Sequence, residues 1–328
     1  MIEQKQDATG ESEFGAWRRS HPATSFKDFY AALADAIVAE DLPHSTLGAN
    51  LVGLSYEKSG VDAFNMLLQY GLTPLDVCVD YGCGTLRVGR HVINRLGPRA
   101  YWGLDISEAL LRKGESLLGS DLAAEKSPNL RMISGQAIAE ATAMRPSFVF
   151  SIKVMQHVHP CEIPEYFQNI LTLIGRHGHA IVASHWNNGP THQYSDIGWD
   201  HGEADLEAVI RAAGGAMVLL GTEDVVDNSV RTGRRKGEFL VVHRDAAADP
   251  DFKDCLRKLQ ERRRMKIIVT AERAQKVLGR CEFEVEDEAD QRKSARRARR
   301  AFEKFVKENP DVSLFDADVR IRFDEVID

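Results

Sequence analysis

The residues with the clearest chemical meaning are two glycines that closely follow an acidic residue. An apolar run ends at Asp80, and the bend Gly82-Cys83-Gly84 begins two positions later. A second short apolar run ends at Asp105, about 20 residues beyond the glycines. Glycines let a backbone approach a ligand without a Cβ in the way, and a carboxylate can accept hydrogen bonds from two ribose hydroxyls. This spacing predicts a nucleotide site in an α/β protein.

Two other nucleotide-binding motifs also use glycine-rich bends, and the sequence argues against both. A dinucleotide fingerprint would place a third glycine at position 87, where this chain has Arg87. It also does not require an acidic residue just before the first glycine. A phosphate-cradling loop needs Gly-Lys followed by Ser or Thr, and the chain contains no such sequence.

The elements that would position these residues alternate between short apolar runs and amphipathic stretches. Strands are expected near 76–80, 101–105, 130–134, 147–152, 178–184, 216–221 and 238–243, and helices near 87–96, 107–118, 162–175 and 203–213. Alternation at this pitch predicts a parallel sheet with helices on both faces. A hairpin-like connection from Asp227 to Gly237 precedes the last strand. We therefore expect a seven-stranded, mostly parallel, doubly wound α/β sheet whose last strand is antiparallel.

Extensions flank this expected core domain, which spans 61–245. Residues 1–60 are interpreted as an N-terminal helical extension whose first 15 or so residues are disordered, with a helix near 25–40. A second helix near 60–70 precedes the first strand. After Arg244 the composition shifts toward charged residues, and 246–328 is interpreted as a C-terminal charged, mainly helical extension. Its helical periodicity is clearest at 251–264 and 288–308.

Between about 60 and 245 the chain resembles the class I S-adenosylmethionine-dependent methyltransferases. The resemblance begins with the acid-x-Gly-x-Gly motif at Asp80 and continues with Asp105 after the second strand. It extends through the turn after the third strand, the segment 153–158 after the fourth, and the helix that leads to the fifth. The family often has a third glycine where Leu86 stands, although some members carry Gly-x-Gly-Ser/Thr-Leu-Arg, as here.

The resemblance implies S-adenosylmethionine as the cofactor and a role for each motif position. Asp80 would hold the amino-acid end, Asp105 the ribose hydroxyls, and Gln136 the edge of adenine. The implied cofactor-binding residues are Asp80, Tyr81, Gly82, Cys83, Gly84, Asp105, Ile106, Gln136, Ala137, Ser151 and Lys153. No metal-binding residue is expected, because the five cysteines have no zinc-ligand spacing.

Methyl transfer depends mainly on positioning a nucleophile in line with the methyl group, and needs a base only if that nucleophile must lose a proton. His157 follows the fourth strand and His185 ends the fifth, at the sheet edge where open α/β sheets bind ligands. Both are candidate catalytic residues. In the family that the chain resembles, a histidine at the position of His157 often only packs against the cofactor pocket. The polar and aromatic loop 185–202, with Trp186, is interpreted as a substrate lid or a surface connection.

The acceptor is expected to be a small molecule or a saccharide, methylated on oxygen or nitrogen. One alternative is an RNA- or DNA-directed methyltransferase anchored by the basic segment 291–308, which is possible but not favoured. Another alternative is a non-catalytic module that only binds the cofactor. The sequence does not decide which acceptor is used.

Bulk properties narrow the class of protein. The chain has 328 residues, a net charge of −7 and a pI of about 5.9, which gives no support to a generic polyanion-binding protein. No apolar run is long enough to span a membrane. The polar N-terminus and the cysteine usage favour a cytoplasmic protein. Apolar positions in the C-terminal helices, including Leu256, Leu259, Ile267 and Ile268, suggest a possible homodimer.

Overall fold

The computed structural model describes residues 13–40, 56–176, 178–224, 234–247, 265–273, 276–284 and 318–325. The chain divides into two compact units, 1–249 and 250–328. Each unit is described below by itself. Among the described residues, no helix combines the length and apolarity that crossing a bilayer requires.

The first unit is built on a seven-stranded sheet with the order β3-β2-β1-β4-β5-β9-β8. Its strands are β1 (Cys78–Tyr81), β2 (Tyr101–Asp105), β3 (Asn129–Met132), β4 (Phe148–Ile152), β5 (His179–Asn187), β8 (Gly215–Asp224) and β9 (Arg234–His243). The five strands β3, β2, β1, β4 and β5 pair with their neighbours in parallel. Strand β9 is antiparallel to both of its neighbours, β5 and β8. The predicted fold class is confirmed, including the antiparallel last strand.

The strand order reverses beside β1, and this reversal places the candidate residues together. The chain moves outward from β1 through β2 to β3, and then returns to add β4 on the other side of β1. Ligands bind at such a switch point, outside the carboxyl ends of the strands. Every residue of β1 and β2 is buried, as expected for strands covered on both faces.

Helices cover the sheet and precede it. They are α1 (Glu13–Ser20), α2 (Phe26–Glu40), α3 (Tyr56–Gln69), α4 (Gly89–Arg95), α5 (Glu108–Leu118), α6 (Ser120–Lys126), α7 (Gly135–Ala143), α8 (Ile163–Ile174), α9 (Glu203–Ala212) and α10 (Arg244–Ala247). The sequence prediction had only a turn where α7 lies. The Ser134 side chain accepts a hydrogen bond from the Ala137 backbone N–H and caps this helix, while Ile138 and Ala141 bury its apolar side.

The N-terminal helices pack onto the sheet domain through aromatic side chains. Phe26, Phe29 and Tyr30 of α2 form a buried cluster with Trp199. The Phe26 and Trp199 rings meet edge to face, with centroids 4.6 Å apart. Residues 1–12 of the segment predicted to be disordered lie outside the described residues, and 13–15 belong to α1.

The segment 185–202 contains more regular structure than the sequence suggested. Strand β5 continues to Asn187, and a two-stranded hairpin follows, formed by β6 (His192–Ser195) and β7 (Gly198–Asp200). Trp186 is fully buried in the core, and its indole N–H donates to Glu203 at 2.9 Å. Trp186 is therefore not available for contact with an acceptor, because its ring is covered by protein.

The described part of the second unit is an antiparallel sheet with the order β11-β10-β12. Its strands are β10 (Met265–Arg273), β11 (Lys276–Glu284) and β12 (Asp318–Glu325). The description of this extension as mainly helical missed these strands, although a run such as Ile267 to Thr270 is β-branched and favours a strand. Ile267 and Ile268 thus do not lie on a self-associating helix. The predicted helices at 251–264 and 288–308 lie outside the described residues.

Candidate active site

The glycine bend directly follows β1 and adopts backbone conformations that favour glycine. Gly82 has φ of 87° and Gly84 has φ of 53°. The carbonyl of Leu104 in β2 accepts hydrogen bonds from the Gly82 and Cys83 N–H groups at 2.7 and 3.1 Å. A Cβ on Gly82 would overlap Val154, whereas a Cβ on Gly84 would meet no atom within 4 Å. Gly84 thus leaves open space in front of its backbone.

Leu86 has the left-handed backbone that a third glycine would adopt easily. Its φ is 61°, and its side chain is almost completely buried. Room for this side chain comes from two glycines in neighbouring helices, Gly89 and Gly114, since a Cβ at either position would lie 3.0 Å or less from Leu86 carbons. Burial of the leucine side chain offsets the backbone strain, because it contributes about 2 kcal/mol against a cost of about 1–2 kcal/mol.

Asp105 is held at the end of β2 by backbone donors. Its Oδ2 accepts from the Gly84 N–H at 2.8 Å, and its Oδ1 accepts from the Ser107 N–H at 3.1 Å. Burial raises the pKa of this carboxyl, while the hydrogen bonds from Gly84 and Ser107 oppose the rise. Each oxygen of the carboxylate has a further lone pair, so the side chain is fixed in place and can still accept ligand hydroxyls.

Asp80 is the other buried carboxyl at the bend. Its Oδ2 accepts a hydrogen bond of 2.7 Å from the Tyr101 hydroxyl. Burial raises the pKa of Asp80 to about 7, with a smaller rise from Asp105, against the lowering effects of the Tyr101 hydrogen bond and of Arg87. A cationic ligand group placed against Asp80 would favour its ionised form.

A single cavity of about 800 Å³ connects the bend to the N-terminal helices and to the β6–β7 hairpin. It brings together nine of the sequence-predicted residues: Asp80, Tyr81, Gly82, Cys83, Gly84, Asp105, Ile106, Lys153 and His157. Arg87 also lines the cavity, and the sequence had already placed it directly after the bend.

Four predicted site residues do not line this cavity. Gln136 is exposed in the first turn of α7 and donates to Glu140 at 2.8 Å. Ala137 is buried in the core. The Ser151 hydroxyl donates to the Tyr81 carbonyl at 2.7 Å, which fixes β4 against β1. His185 lies on β5, where it faces Asp200 instead.

His157 lies in a 3-10 helix, Met155–His157, between α2 and the hairpin. Its Nδ1 lies 2.8 Å from the Ile197 carbonyl oxygen, and its ring lies over Tyr30 with centroids 5.3 Å apart. A carbonyl oxygen can only accept, so Nδ1 carries the hydrogen and Nε2 has the lone pair in the neutral ring. The side chain of Gln156 lies 3.1 Å from that Nε2.

His185 belongs to a separate cluster behind the hairpin. Its Nδ1 lies 2.7 Å from Oδ1 of the fully buried Asp200, and His192 Nε2 lies 3.4 Å from the other carboxylate oxygen. The His185 ring packs against Tyr194, which lines the cavity, with centroids 5.3 Å apart. Within the described ranges, no group of three or more histidine, cysteine or acidic side chains is arranged to hold a metal ion.

The sequence did not identify the cavity residues that come from the N-terminal helices, which are Lys27 and Tyr30 from α2 and Ser59, Asp62 and Ala63 from α3. Tyr194, Ser195 and Ile197 also line the cavity, and they lie in the segment 185–202 for which the sequence suggested a substrate lid. Helical periodicity predicted α2, but it gave no indication of which side would meet His157. Helix α3 approaches the bend closely: the Tyr56 hydroxyl donates to the Thr85 carbonyl at 2.7 Å, and a Cβ on Gly60 would overlap the Arg87 carbonyl oxygen.

Comparisons with known proteins were made for the sequence and for the fold. No protein-family model matches the chain, and no curated protein matches its sequence. Magnesium protoporphyrin IX methyltransferase (ChlM) from Synechocystis PCC 6803 with bound SAM aligns with 67% of this chain and 98% of its own, at 16% identity and a TM-score of 0.47.

Two further solved structures are similar to a comparable extent. Geranyl diphosphate C-methyltransferase from Streptomyces coelicolor A3(2) aligns with 68% of this chain and 99% of its own, at 14% identity and a TM-score of 0.47. The DhpI–SAH complex aligns with 67% and 98%, at 15% identity and a TM-score of 0.42. Similarities at these identities and TM-scores assign neither a family nor a function, and the fold is described from the chain's own sheet order and glycine bend. By its own sheet order the chain has a doubly wound α/β fold, with the glycine bend at the reversal of the strand order.

Proposed function

We propose that this chain is an S-adenosylmethionine-dependent methyltransferase that transfers the methyl group to oxygen or nitrogen of a small-molecule or saccharide acceptor. The observation that carries the proposal is the composition of the cavity. Its wall contains the glycine bend with two buried carboxyls, and it also contains His157, whose ring packs on Tyr30. A cofactor site and an acceptor site would thus share one cavity.

The residues at the bend fit the cofactor. Asp105 is held by two backbone N–H groups and retains lone pairs for the ribose hydroxyls. Asp80 offers a buried carboxylate to the cofactor's ammonium group, and Gly84 leaves space for the methionine chain. When bound, S-adenosylmethionine supplies a methyl group on a sulfonium, which is a good leaving group.

The remaining cofactor contacts stay proposals at the same positions as in the sequence analysis. Tyr81, Cys83, Ile106 and Lys153 line the cavity and are available as contacts. Gln136 would have to rotate away from Glu140 to reach an adenine edge. Ala137 and Ser151 would contribute through their backbone or by supporting the bend.

The acceptor would occupy the part of the cavity between α2 and the hairpin. Tyr30, Tyr194 and Ile197 line this part. Glu165 and Lys27 form an ion pair there, with 3.1 Å between the charged atoms. Small-molecule sites typically occupy about 300–1,000 Å³, so a cavity of about 800 Å³ suits a cofactor with a small acceptor better than a polymer.

His157 is the residue we assign as the base where the acceptor must lose a proton. The Ile197 carbonyl fixes Nδ1–H and thereby leaves the lone pair on Nε2. An acceptor hydroxyl or amine that reached Nε2 would displace or share the Gln156 side chain and transfer its proton there. His185 does not reach the cavity, so its proposed part is to support Tyr194 through ring packing.

Calorimetry with S-adenosylmethionine tests the proposed function. We expect the folded chain to bind the cofactor, and Asp105→Ala to weaken binding by about 1–3 kcal/mol, because a charged hydrogen-bonding partner is removed. Asp121→Ala is the matched control, since Asp121 is exposed in α6 and distant in sequence from the bend. A well-folded protein that binds no S-adenosylmethionine would contradict the proposal.

The other predicted properties stay predictions. The basic segment 291–308, which would anchor a nucleic acid, lies outside the described residues. A homodimer through C-terminal helices and a cytoplasmic location likewise have no structural observation behind them.

A further inference from the structure

Among the described residues, the side chain of Gln156 has one hydrogen-bonding contact, and that contact is with His157. Both residues line the cavity, and Gln156 Nε2 lies 3.1 Å from His157 Nε2. The carbonyl oxygen of the Gln156 amide is buried and has no hydrogen-bond partner in the described part of the chain. A buried acceptor without a partner lowers stability, so its presence in a cavity wall calls for a functional explanation.

The hydrogen position on the His157 ring determines which end of the Gln156 amide faces it. The Ile197 carbonyl accepts from Nδ1–H, so Nε2 of the neutral ring has the lone pair and can only accept. The NH2 group of the amide must therefore face Nε2. After the ring takes up a proton, Nε2 becomes a donor, and only the amide oxygen can then pair with it.

The backbone that carries both side chains is anchored. His201 Nε2 lies 3.1 Å from the Met155 carbonyl oxygen and 3.0 Å from the Val158 carbonyl oxygen, at the two ends of the 3-10 helix. A half-turn of the Gln156 amide about its last bond exchanges the nitrogen and the oxygen at nearly the same positions. Because the oxygen has no partner among the described residues, this half-turn breaks no other hydrogen bond with them.

We infer that Gln156 is a positioning residue that acts through His157, an inference that rests on the proposed function. In the resting site the amide NH2 group holds Nε2 as an acceptor in the cavity wall. When the ring has taken up a proton, the amide turns over and its oxygen accepts from Nε2–H. A hydrogen bond to a charged ring is stronger than one to a neutral ring. Gln156 therefore favours the protonated ring and assists proton transfer to His157.

The proton that Gln156 helps to hold comes from the acceptor. The amide moves aside for the acceptor, whose O–H or N–H bond breaks as the proton moves to His157 Nε2. The electron pair of that bond stays on the acceptor atom, which uses an electron pair to form the new bond to the methyl carbon. The pair of the broken carbon–sulfur bond stays on sulfur. The amide then returns with its oxygen toward Nε2–H.

Other ionisable side chains surround the same end of the cavity and also act on the His157 ring. They come from α2, α8 and the hairpin, and are Lys27, Tyr30, Glu162, Glu165, Tyr166 and Tyr194. Glu165 forms an ion pair with Lys27, and the Glu162 carboxylate accepts from the Lys27 backbone N–H at 3.1 Å. These groups are the same in every variant of Gln156, so a difference between variants reports on position 156.

Nitrogen NMR of the ligand-free chain across a pH titration tests the inference. The side-chain N–H signals of Gln156 should shift with the same midpoint as the ring nitrogens of His157, because the amide turns when the ring gains a proton. Gln156→Glu places a carboxylate beside Nε2 and should raise the His157 midpoint by about one pH unit or more. Gln156→Met lacks the amide and should lower the midpoint by about half a unit to one unit.

Gln168 provides the matched control, since it is exposed in α8 and does not line the cavity. Gln168→Glu adds the same charge and Gln168→Met removes the same amide. Both variants should leave the His157 midpoint nearly unchanged.

Two results would overturn the inference. One is a set of Gln156 N–H signals that do not move through the His157 midpoint, a measurement that needs no variant and stands even if a variant folds poorly. The other is a His157 midpoint in Gln156→Met equal to that of the unmodified chain. Failure of the proposed function is a separate result, because calorimetry with the cofactor detects it and these titrations contain no ligand.

Discussion

At the scale of single residues, the site depends on groups that would be unfavourable in isolation. Asp80 and Asp105 are buried carboxyls, and each is stabilised by defined donors. Leu86 adopts a backbone conformation that usually favours glycine. Strained or desolvated groups cluster at functional sites, where the surrounding structure holds them in place. The bend therefore combines buried carboxyls with a strained backbone, as is typical of a functional site.

Leu86 provides a test of this compensation at the residue scale. Both Leu86→Gly and Leu86→Ala remove a buried side chain and should destabilise the fold by about 2–5 kcal/mol. Glycine relieves the left-handed strain, so we expect Leu86→Gly to be the more stable of the two by about 1 kcal/mol. Urea-induced unfolding measures the difference.

Leu171, a buried leucine within α8, is the control for this comparison. There the order should reverse, with the glycine variant less stable than the alanine variant by about 1 kcal/mol. If alanine is also preferred at position 86, the left-handed backbone at Leu86 carries no appreciable strain.

At the scale of elements, the acceptor end of the site is assembled from parts that are far apart in sequence. Tyr30 of α2 packs on the His157 ring, and the Ile197 carbonyl in the hairpin holds its Nδ1. His201, just after the hairpin, binds the same 3-10 helix. Its Nε2 lies 3.1 Å from the Met155 carbonyl oxygen and 3.0 Å from that of Val158. The hairpin thus fixes His157 through contacts on both sides of it.

The link formed by His201 predicts a dependence of stability on pH. Burial lowers the pKa of His201 from 6.5 to about 4. The unfolded chain therefore takes up a proton at a pH where the folded chain does not. The resulting contribution to stability is complete above about pH 6.5, and it is lost progressively as the pH falls toward 4. At pH 5 the loss is about 2 kcal/mol.

The raised pKa of Asp80 changes stability with pH in the direction opposite to the lowered pKa of His201. A variant of His201 is therefore needed to separate the contributions of the two residues. Its pKa is raised to about 7, and its contribution to stability is lost as the pH rises toward that value. We expect the unfolding free energy of the unmodified chain, relative to His201→Gln, to decrease by about 2 kcal/mol between pH 7.5 and pH 5. Urea titrations at the two pH values measure this, and a constant difference would contradict the role given to His201.

At the scale of the whole molecule, the complete site lies within one of the two units. Among the described residues, those that line the cavity lie between Lys27 and Ile197, and the first unit extends to Asp249. The seven-stranded sheet is complete within it as well. We therefore expect the first unit alone to build the proposed cofactor and acceptor sites.

A chain that ends at Asp249 tests this division. We expect it to fold and to bind S-adenosylmethionine with an affinity within about threefold of the full chain, because no cavity residue is removed. Calorimetry on both chains measures the two affinities, and circular dichroism reports whether the shortened chain is folded. A folded shortened chain with far weaker binding would show that the second unit takes part in the site.

The sequence by itself determined the sheet and the cofactor end of the site, because the responsible signals are local. A buried apolar strand, an acid and two glycines appear within a few residues around Asp80, and the glycines are needed at φ of 87° and 53°. Local signals were less successful where helix and strand compete. The short helix α7 was taken for a turn, and the β-branched run beginning at Ile267 was assigned to a helical extension.

Only the tertiary structure decided the acceptor end. The partner of His157 is a carbonyl 40 residues further along the chain, and Tyr30 lies in a helix that precedes the sheet. His185 and Gln136 were plausible from their positions after strands, yet their side chains face Asp200 and Glu140. Backbone conformation depends mainly on neighbouring residues in the sequence. Side-chain contacts between distant segments depend instead on how the helices and strands pack. For this reason the sequence identified the glycine bend that we propose as the cofactor site, and the packing determined which residues surround the proposed acceptor site.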